Sequence, residues 1–250
     1  MKTIHAGILF SDLSMCWYSV SFSTTSHSDP NDTRAVVRSA QYLPRPAPQD
    51  QDTLIAASET YGETIAAFAE SFVGTGQYCA RGECWDLASE ALKQFEQYDY
   101  VPPPVPSISR THGHLIFEGK AENNGVVQFG RWRGGDDRVR RGDIVEWRNA
   151  RVGMGPYGHA TLGNPDHTAV IISETVPRVA VADGQAVKPS ELGVLQVVEQ
   201  SIGSPPKSEN YDLGQMQEGE IWIYRPIAME VYVGATLEAQ CPKGVPAITI

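Results

Sequence analysis

The spacing of apolar residues changes once along this chain, near Pro102-Pro103-Pro104. Before that point Ile65, Ala66, Phe68, Ala69 and Phe72 recur three and four residues apart, which predicts a helix from Ser58 to Val73. Ser58 is its expected cap and Gly62 its weak point. A glycine-containing loop from Gly74 to Gly82 then leads to a second predicted helix, Cys84 to Tyr98. Its stripe is Leu87, Ala88, Ala91, Leu92 and Phe95, and the three prolines end it. Beyond them short apolar runs between Gly, Pro, Asn and Asp clusters predict strands. These are His114–Phe117, Val126–Phe129, Ile144–Trp147, Thr168–Ser173, Val194–Glu199 and Glu220–Tyr224. Helices first and an antiparallel sheet afterwards make an α+β fold. Residues 1–52 carry a Ser/Thr run from Ser19 to Ser28 and Pro44-Arg45-Pro46-Ala47-Pro48. They read as a poorly structured N-terminal arm, which leaves 53–250 as the folded domain.

Composition narrows the function classes. A net charge of -10 over 250 residues argues against nucleic-acid or anionic-membrane partners, which need concentrated Lys and Arg. The basic cluster Arg131 to Arg141 contains Asp136 and Asp137 and reads as a solvated loop. No apolar stretch approaches the ~20 residues that span a bilayer. Ile8-Leu9-Phe10 lacks the continuous core of a signal peptide, so a cytoplasmic protein is expected. Cys16, Cys79, Cys84 and Cys241 are too few and scattered for a disulfide framework, and none forms a paired Cys-x-x-Cys zinc set. A Cys79–Cys84 bridge would consume the most interesting thiol, and reduced cysteines are the simpler reading. No metal or organic cofactor is required.

That thiol is Cys84, where a helix begins: free N–H groups and the helix dipole there favour a thiolate and can hold an oxyanion. His167 directly precedes the apolar run Thr168 to Ile172 and is placed at a strand mouth. Glu199, on the next strand, can accept the Nδ1–H of that imidazole and fix its tautomer. In this order the three suit a nucleophile, a base and an orienter. Each also has a plain structural counterpart: a buried cysteine, a surface histidine, a solvated carboxylate at a strand end. His112, His114 and His159 compete with His167 but rank below it, the first two lying before the main sheet and the third in a Gly-rich loop. Gln77 is a weak oxyanion donor, and the charge of Glu83 opposes thiolate formation. Gly142-Asp143 reads as a turn launching a core strand. Trp147, Trp222 and Tyr224 read as packing aromatics.

Together Gly82-Glu83-Cys84-Trp85, Gly142-Asp143-Ile144-Val145, His167-Thr168-Ala169-Val170 and Val197-Val198-Glu199-Gln200 resemble the Cys, Gly-Asp, His and acidic-strand signatures of the CHAP and NlpC/P60 papain-like superfamily. Many members are cysteine amidases or endopeptidases. A closer resemblance rests on Pro103-Pro104-Val105-Pro106-Ser107-Ile108-Ser109-Arg110-Thr111-His112-Gly113-His114, Tyr211-Asp212-Leu213 and Gly219-Glu220-Ile221-Trp222-Ile223-Tyr224-Arg225-Pro226. These are similar to the cysteine-proteinase-fold domain of fungal Bbc/Aim-type proteins, over roughly residues 58 to 227. The resemblance implies N-terminal helices packed on an antiparallel sheet, with Cys84, His167 and Glu199 as the catalytic row. It implies a thiol hydrolase acting on a peptide or amide substrate. The alternative it carries is a non-catalytic module binding cortical-actin and myosin-associated proteins at the actin patch, because such domains end long SH3-bearing or proline-rich chains. This sequence has neither an SH3 domain nor a long proline-rich region. Ser201 also stands where CHAP-type enzymes often carry an asparagine.

Overall fold

A computed structural model describes residues 2–10, 14–24, 29, 32, 34–45, 47–108, 110–155 and 158–230. Cys241 and the last twenty residues of the expected 53–250 domain lie outside the described residues. The chain divides into two compact units, with the boundary between Ala47 and Pro48.

The first unit corrects the expectation of a poorly structured arm. It holds three strands, β1 (Lys2–Leu9), β2 (Met15–Phe22) and β3 (Val36–Leu43), paired antiparallel in chain order. Ser19-Val20-Ser21-Phe22 alternates with period two, a strand signal hidden by a disorder-like composition. Hydroxyls meet across the ladder, Thr3 with Ser21 and Ser19 with Ser39, each at 2.8 Å.

The second unit begins with α1 (Gln51–Glu70) and α2 (Cys84–Lys93), the latter continuing as a 3₁₀ turn over Gln94–Gln97. The first helix starts seven residues earlier than its apolar pattern suggests, because Asp50 rather than Ser58 caps it, accepting from the Thr53 N–H at 2.8 Å. Gly62 belongs mid-helix for a steric reason. A Cβ there would lie 2.4 Å from the Arg141 carbonyl oxygen, and one on Gly142 (φ +88°) would lie 2.3 Å from the Gly62 Cα. The helix therefore touches the Gly142-Asp143 turn backbone to backbone.

The rest is a seven-stranded antiparallel sheet. Its strands are β4 (His114–Glu122), β5 (Val127–Trp132), β6 (Ile144–Gly153), β7 (His159–Ile171), β8 (Val194–Ser201), β9 (Ser204–Asp212) and β10 (Met216–Arg225). A single turn of helix, α3 (Pro189–Leu192), precedes β8. The spatial order is β5-β4-β10-β6-β7-β8-β9, so the last strand in sequence lies inside the sheet. The α+β architecture with a cysteine-proteinase fold is thus as expected. Alternation divides the strands: Val145, Trp147, Ala169, Ile171, Leu195 and Val197 join one buried cluster, whereas Ile144, Val170 and Val198 point the other way. The helix α2 rests on β7 and β8 and buries Leu87, Ala88, Ala91 and Leu92. Truncating a wholly buried leucine such as Leu87 to alanine costs about 2–5 kcal/mol.

Arg131 to Arg141 is not a solvated loop. Asp136 is buried, Arg140 pairs with it at 2.6 Å, and Arg141 reaches back to Glu63 (2.8 Å) and Glu70 (2.6 Å) on α1. The alternating signs pair with each other and fasten the segment to the domain. Among the described residues no helix is long and apolar enough to cross a membrane.

Candidate active site

The loop before α2 is shaped by its glycines and anchored by buried side chains. Gly82 has φ +85°, and a Cβ there would lie 2.9 Å from the Tyr78 ring, so the chain turns sharply and closely at this point. Gln200, at the end of β8 and 1% exposed, acts as a clamp. Its Oε1 accepts from the Cys79 N–H at 3.0 Å, while its Nε2 donates to the carbonyls of Cys79 (3.0 Å) and Glu83 (2.9 Å). Asp86 does the same from within the helix, accepting from the N–H groups of Arg81 (2.9 Å) and Glu83 (3.2 Å) and from the Arg81 guanidinium (2.7 Å). Between these two anchors Cys84 is presented as the first residue of α2, half-buried. Its thiol is free, as are those of Cys16 and Cys79.

His167 lies within β7 rather than at its mouth, because the strand runs back to His159. In register with Trp147, it stacks on that indole at 6.0 Å between ring centres and 25° between planes. Its Nε2 lies 2.8 Å from Glu199 Oε2, so the orienting bond uses Nε2 where the sequence reading named Nδ1. That leaves Nδ1 to the Cys84 side: the two residues line one cleft, and each favours the charged form of the other. Glu199 is itself held. The Tyr211 hydroxyl, from β9, donates to Oε1 at 2.8 Å, and Lys207 Nζ stands 3.4 Å away. Cys84, His167 and Glu199, from α2, β7 and β8, thus meet in one row.

Electrostatics polarise that row. Burial pushes the Cys84 thiol up, but the hydrogen bond to His167, a backbone bond from Thr168 and the imidazolium charge outweigh it, and the thiol ends below its ordinary value. Burial likewise opposes charge on His167, yet its bonds to Cys84 and Glu199 raise it to about 9. For Glu199, burial is overcome by His167, Tyr211 and Lys207, and the carboxyl is lowered. Cys79 is the contrast. Only five residues away, it is pushed up to about 11 by burial and by the nearby charges of Glu90 and Asp86. A thiolate–imidazolium pair is the form this geometry favours.

The row borders a cleft of about 830 Å³, lined among others by Glu83, Asn164, Ser201, Ile202 and Ser204. Glu83 sits on the cleft wall, and Gln77 is exposed and lines no part of it. His159 is exposed at the start of β7, whereas His112 and His114 are buried, the latter opening β4 of the main sheet. The residues that sequence reasoning missed are the supports Gln200, Asp86 and Tyr211. A glutamine ending an otherwise apolar run was the available signal for the first. Tyr211 was obscured because Pro205-Pro206 and the polar run after them conceal β9.

A family model described as the AIM3/BBC1 cysteine proteinase-fold domain matches residues 39–237. Altered inheritance of mitochondria protein 3 of Debaryomyces hansenii is 28% identical over 213 residues, 83% of this chain and 20% of that protein. The chain therefore spans about a fifth of the length of this curated relative. No solved structure matches.

Proposed function

The chain belongs to the AIM3/BBC1 cysteine proteinase-fold domain family, and on that premise we propose that it is a thiol hydrolase acting on an amide or related acyl bond. The observation that supports this reading is the gathering of Cys84 and the hydrogen-bonded pair His167–Glu199 on the wall of an open cleft. Sulfur attacks the carbonyl carbon and a C–S bond forms, while the carbonyl oxygen takes the electron pair. The Cys84 N–H, one of the first-turn amides that a helix leaves without an internal partner, faces that oxyanion. As the C–N bond breaks, His167 gives its proton to the departing amine and an acyl-thioester remains. Water then attacks, His167 takes its proton and returns one to sulfur, and the acid leaves. Glu199 keeps the ring oriented throughout and stabilises its charged form.

The test is alkylation of the native protein with iodoacetamide across pH, followed residue by residue by mass spectrometry. Cys84 reacts fastest, at a pH below that of an ordinary thiol, and His167→Ala removes the advantage. If Cys84 reacts no faster than Cys16, the hydrolase reading fails. A peptide and amide library, with Cys84→Ala as control, then identifies the substrate. A second reading keeps the fold without turnover, as one domain within a longer chain such as that of the relative. In it the domain serves in the cytoplasm as an interaction module for cortical-actin and myosin-associated proteins. A fast Cys84 with no turnover on any library member would favour that role.

A further inference from the structure

Beside the nucleophile lies a carboxylate that the hydrolytic scheme does not use. Glu146, on β6, is 1% exposed, and its charge raises the Cys84 thiol, opposing the ionisation that His167 promotes. Two groups address it. The Thr168 hydroxyl donates to Oε2 at 2.6 Å, and His112 Nε2 stands 3.4 Å from the same oxygen. His112 is wholly buried, edge-on to Tyr224 with ring centres 5.7 Å apart, and its Nδ1 lies 2.7 Å from the Ser107 hydroxyl. Glu146 stands opposite Thr168 in the β6–β7 ladder, next to His167, and α2, which Cys84 opens, packs on that strand. A continuous chain of polar groups therefore runs from Ser107 through His112 and Glu146 to Thr168, on the strand against which the nucleophile's helix packs.

We propose that His112 and Glu146 form a second imidazole–carboxylate pair, behind the nucleophile, that sets how readily Cys84 ionises. The inference rests on the reading of Cys84 as a nucleophile and adds positioning residues to it. Ser107 donates to Nδ1, which keeps the ring proton on Nε2 facing Glu146. That donor and the Thr168 hydroxyl draw the carboxylate charge away from the sulfur, and the pair holds the thiol at an intermediate acidity. The groups facing Cys84 are His167 from β7, Glu146 from β6 and, through His167, Glu199 from β8, with Glu83 on the cleft wall. Those facing Glu146 are Thr168 from β7 and His112 from the segment before β4, which packs against Tyr224 of β10.

The test is the pH midpoint of Cys84 alkylation in the full chain. Glu146→Gln lowers it by about one pH unit, a tenfold change in the ionisation equilibrium. His112→Asn raises it, and in the Glu146→Gln background it has no further effect, because His112 acts only through the carboxylate. Ser107→Ala, a milder change near the surface, moves the midpoint upward by a few tenths of a unit and covers the case in which His112→Asn does not fold. A midpoint left in place by Glu146→Gln but raised by His167→Ala overturns this inference alone. A midpoint lowered by Glu146→Gln but indifferent to His167→Ala supports it and removes the hydrolase reading instead.

Discussion

Two of the places where the domain buries charge are built to opposite ends. Around Arg225 every donor is used. Nε and one terminal nitrogen bond the two oxygens of Asp143 at 2.8 Å each. The other terminal nitrogen takes Asp136 and the Leu54 carbonyl (3.2 Å), and the last proton goes to the Arg138 carbonyl (3.1 Å). Arg140 completes the shell of Asp136 at 2.6 and 2.9 Å. Arg225, Asp136 and Asp143 are all shut off from solvent. The row at Cys84 likewise sets a basic group against a buried carboxylate, but its last member is a half-exposed sulfur on a cleft. A saturated cluster fixes geometry. The other, left open at one end, has a group to offer a substrate. The first also supports the second, since it joins the end of β10 to the start of β6, the strand beside the one that carries His167.

Four measurements sharpen this contrast. Arg225→Met leaves Asp136 and Asp143 buried without their partner and costs about 3–5 kcal/mol in denaturant unfolding. A loss below 1 kcal/mol would mean that the assembly does not hold the sheet. Gln200→Ala orphans three backbone groups of the loop before Cys84 and costs about 2–3 kcal/mol. It also slows Cys84 alkylation, an effect that Arg225→Met at temperatures where it stays folded does not share. The third is pH. Asp136 is held at about 2 by Arg140 and Arg225 against the opposing effect of burial, so its contribution is complete above its unfolded value near 4. That contribution, about 2 kcal/mol, is lost as pH falls through 2. His167, raised to about 9, contributes fully below its unfolded value near 6.5 and loses that contribution as pH rises through 9. Asp136 therefore loses its contribution in acid and His167 loses its own in alkali, and His167→Ala flattens that alkaline limb. Smallest is Tyr211→Phe, which removes one bond to Glu199, costs about 1 kcal/mol and raises the Cys84 alkylation midpoint by a few tenths of a unit.

Much of this was legible in the residues. The three members of the open row announce themselves because each stands at a junction of patterns: a cysteine opening an amphipathic run, a histidine against an apolar strand, a carboxylate late in the next. The supports did not, because their roles depend on pairings across long sequence distances. Gln200 finds Cys79 and Glu83 only once β8 lies against the loop, and Arg225 meets Asp136 and Asp143 only when β10 is inserted. Local charge counting mistook Arg131 to Arg141 for a solvated loop for that reason. The first three strands were missed for another. Their serines and threonines satisfy one another across the ladder, so a composition typical of disordered chain is compatible with a paired sheet.

The place of β10, between β4 and β6, has a consequence for synthesis. A ribosome delivers the β4–β5 hairpin and the β6–β9 meander first, each with a bare ladder edge awaiting the same late segment. Until Met216 to Arg225 has emerged, those two edges are adhesive to other chains as well as to their proper filling. Nascent polypeptides stalled before that stretch should be clients for chaperones, and released ones should aggregate.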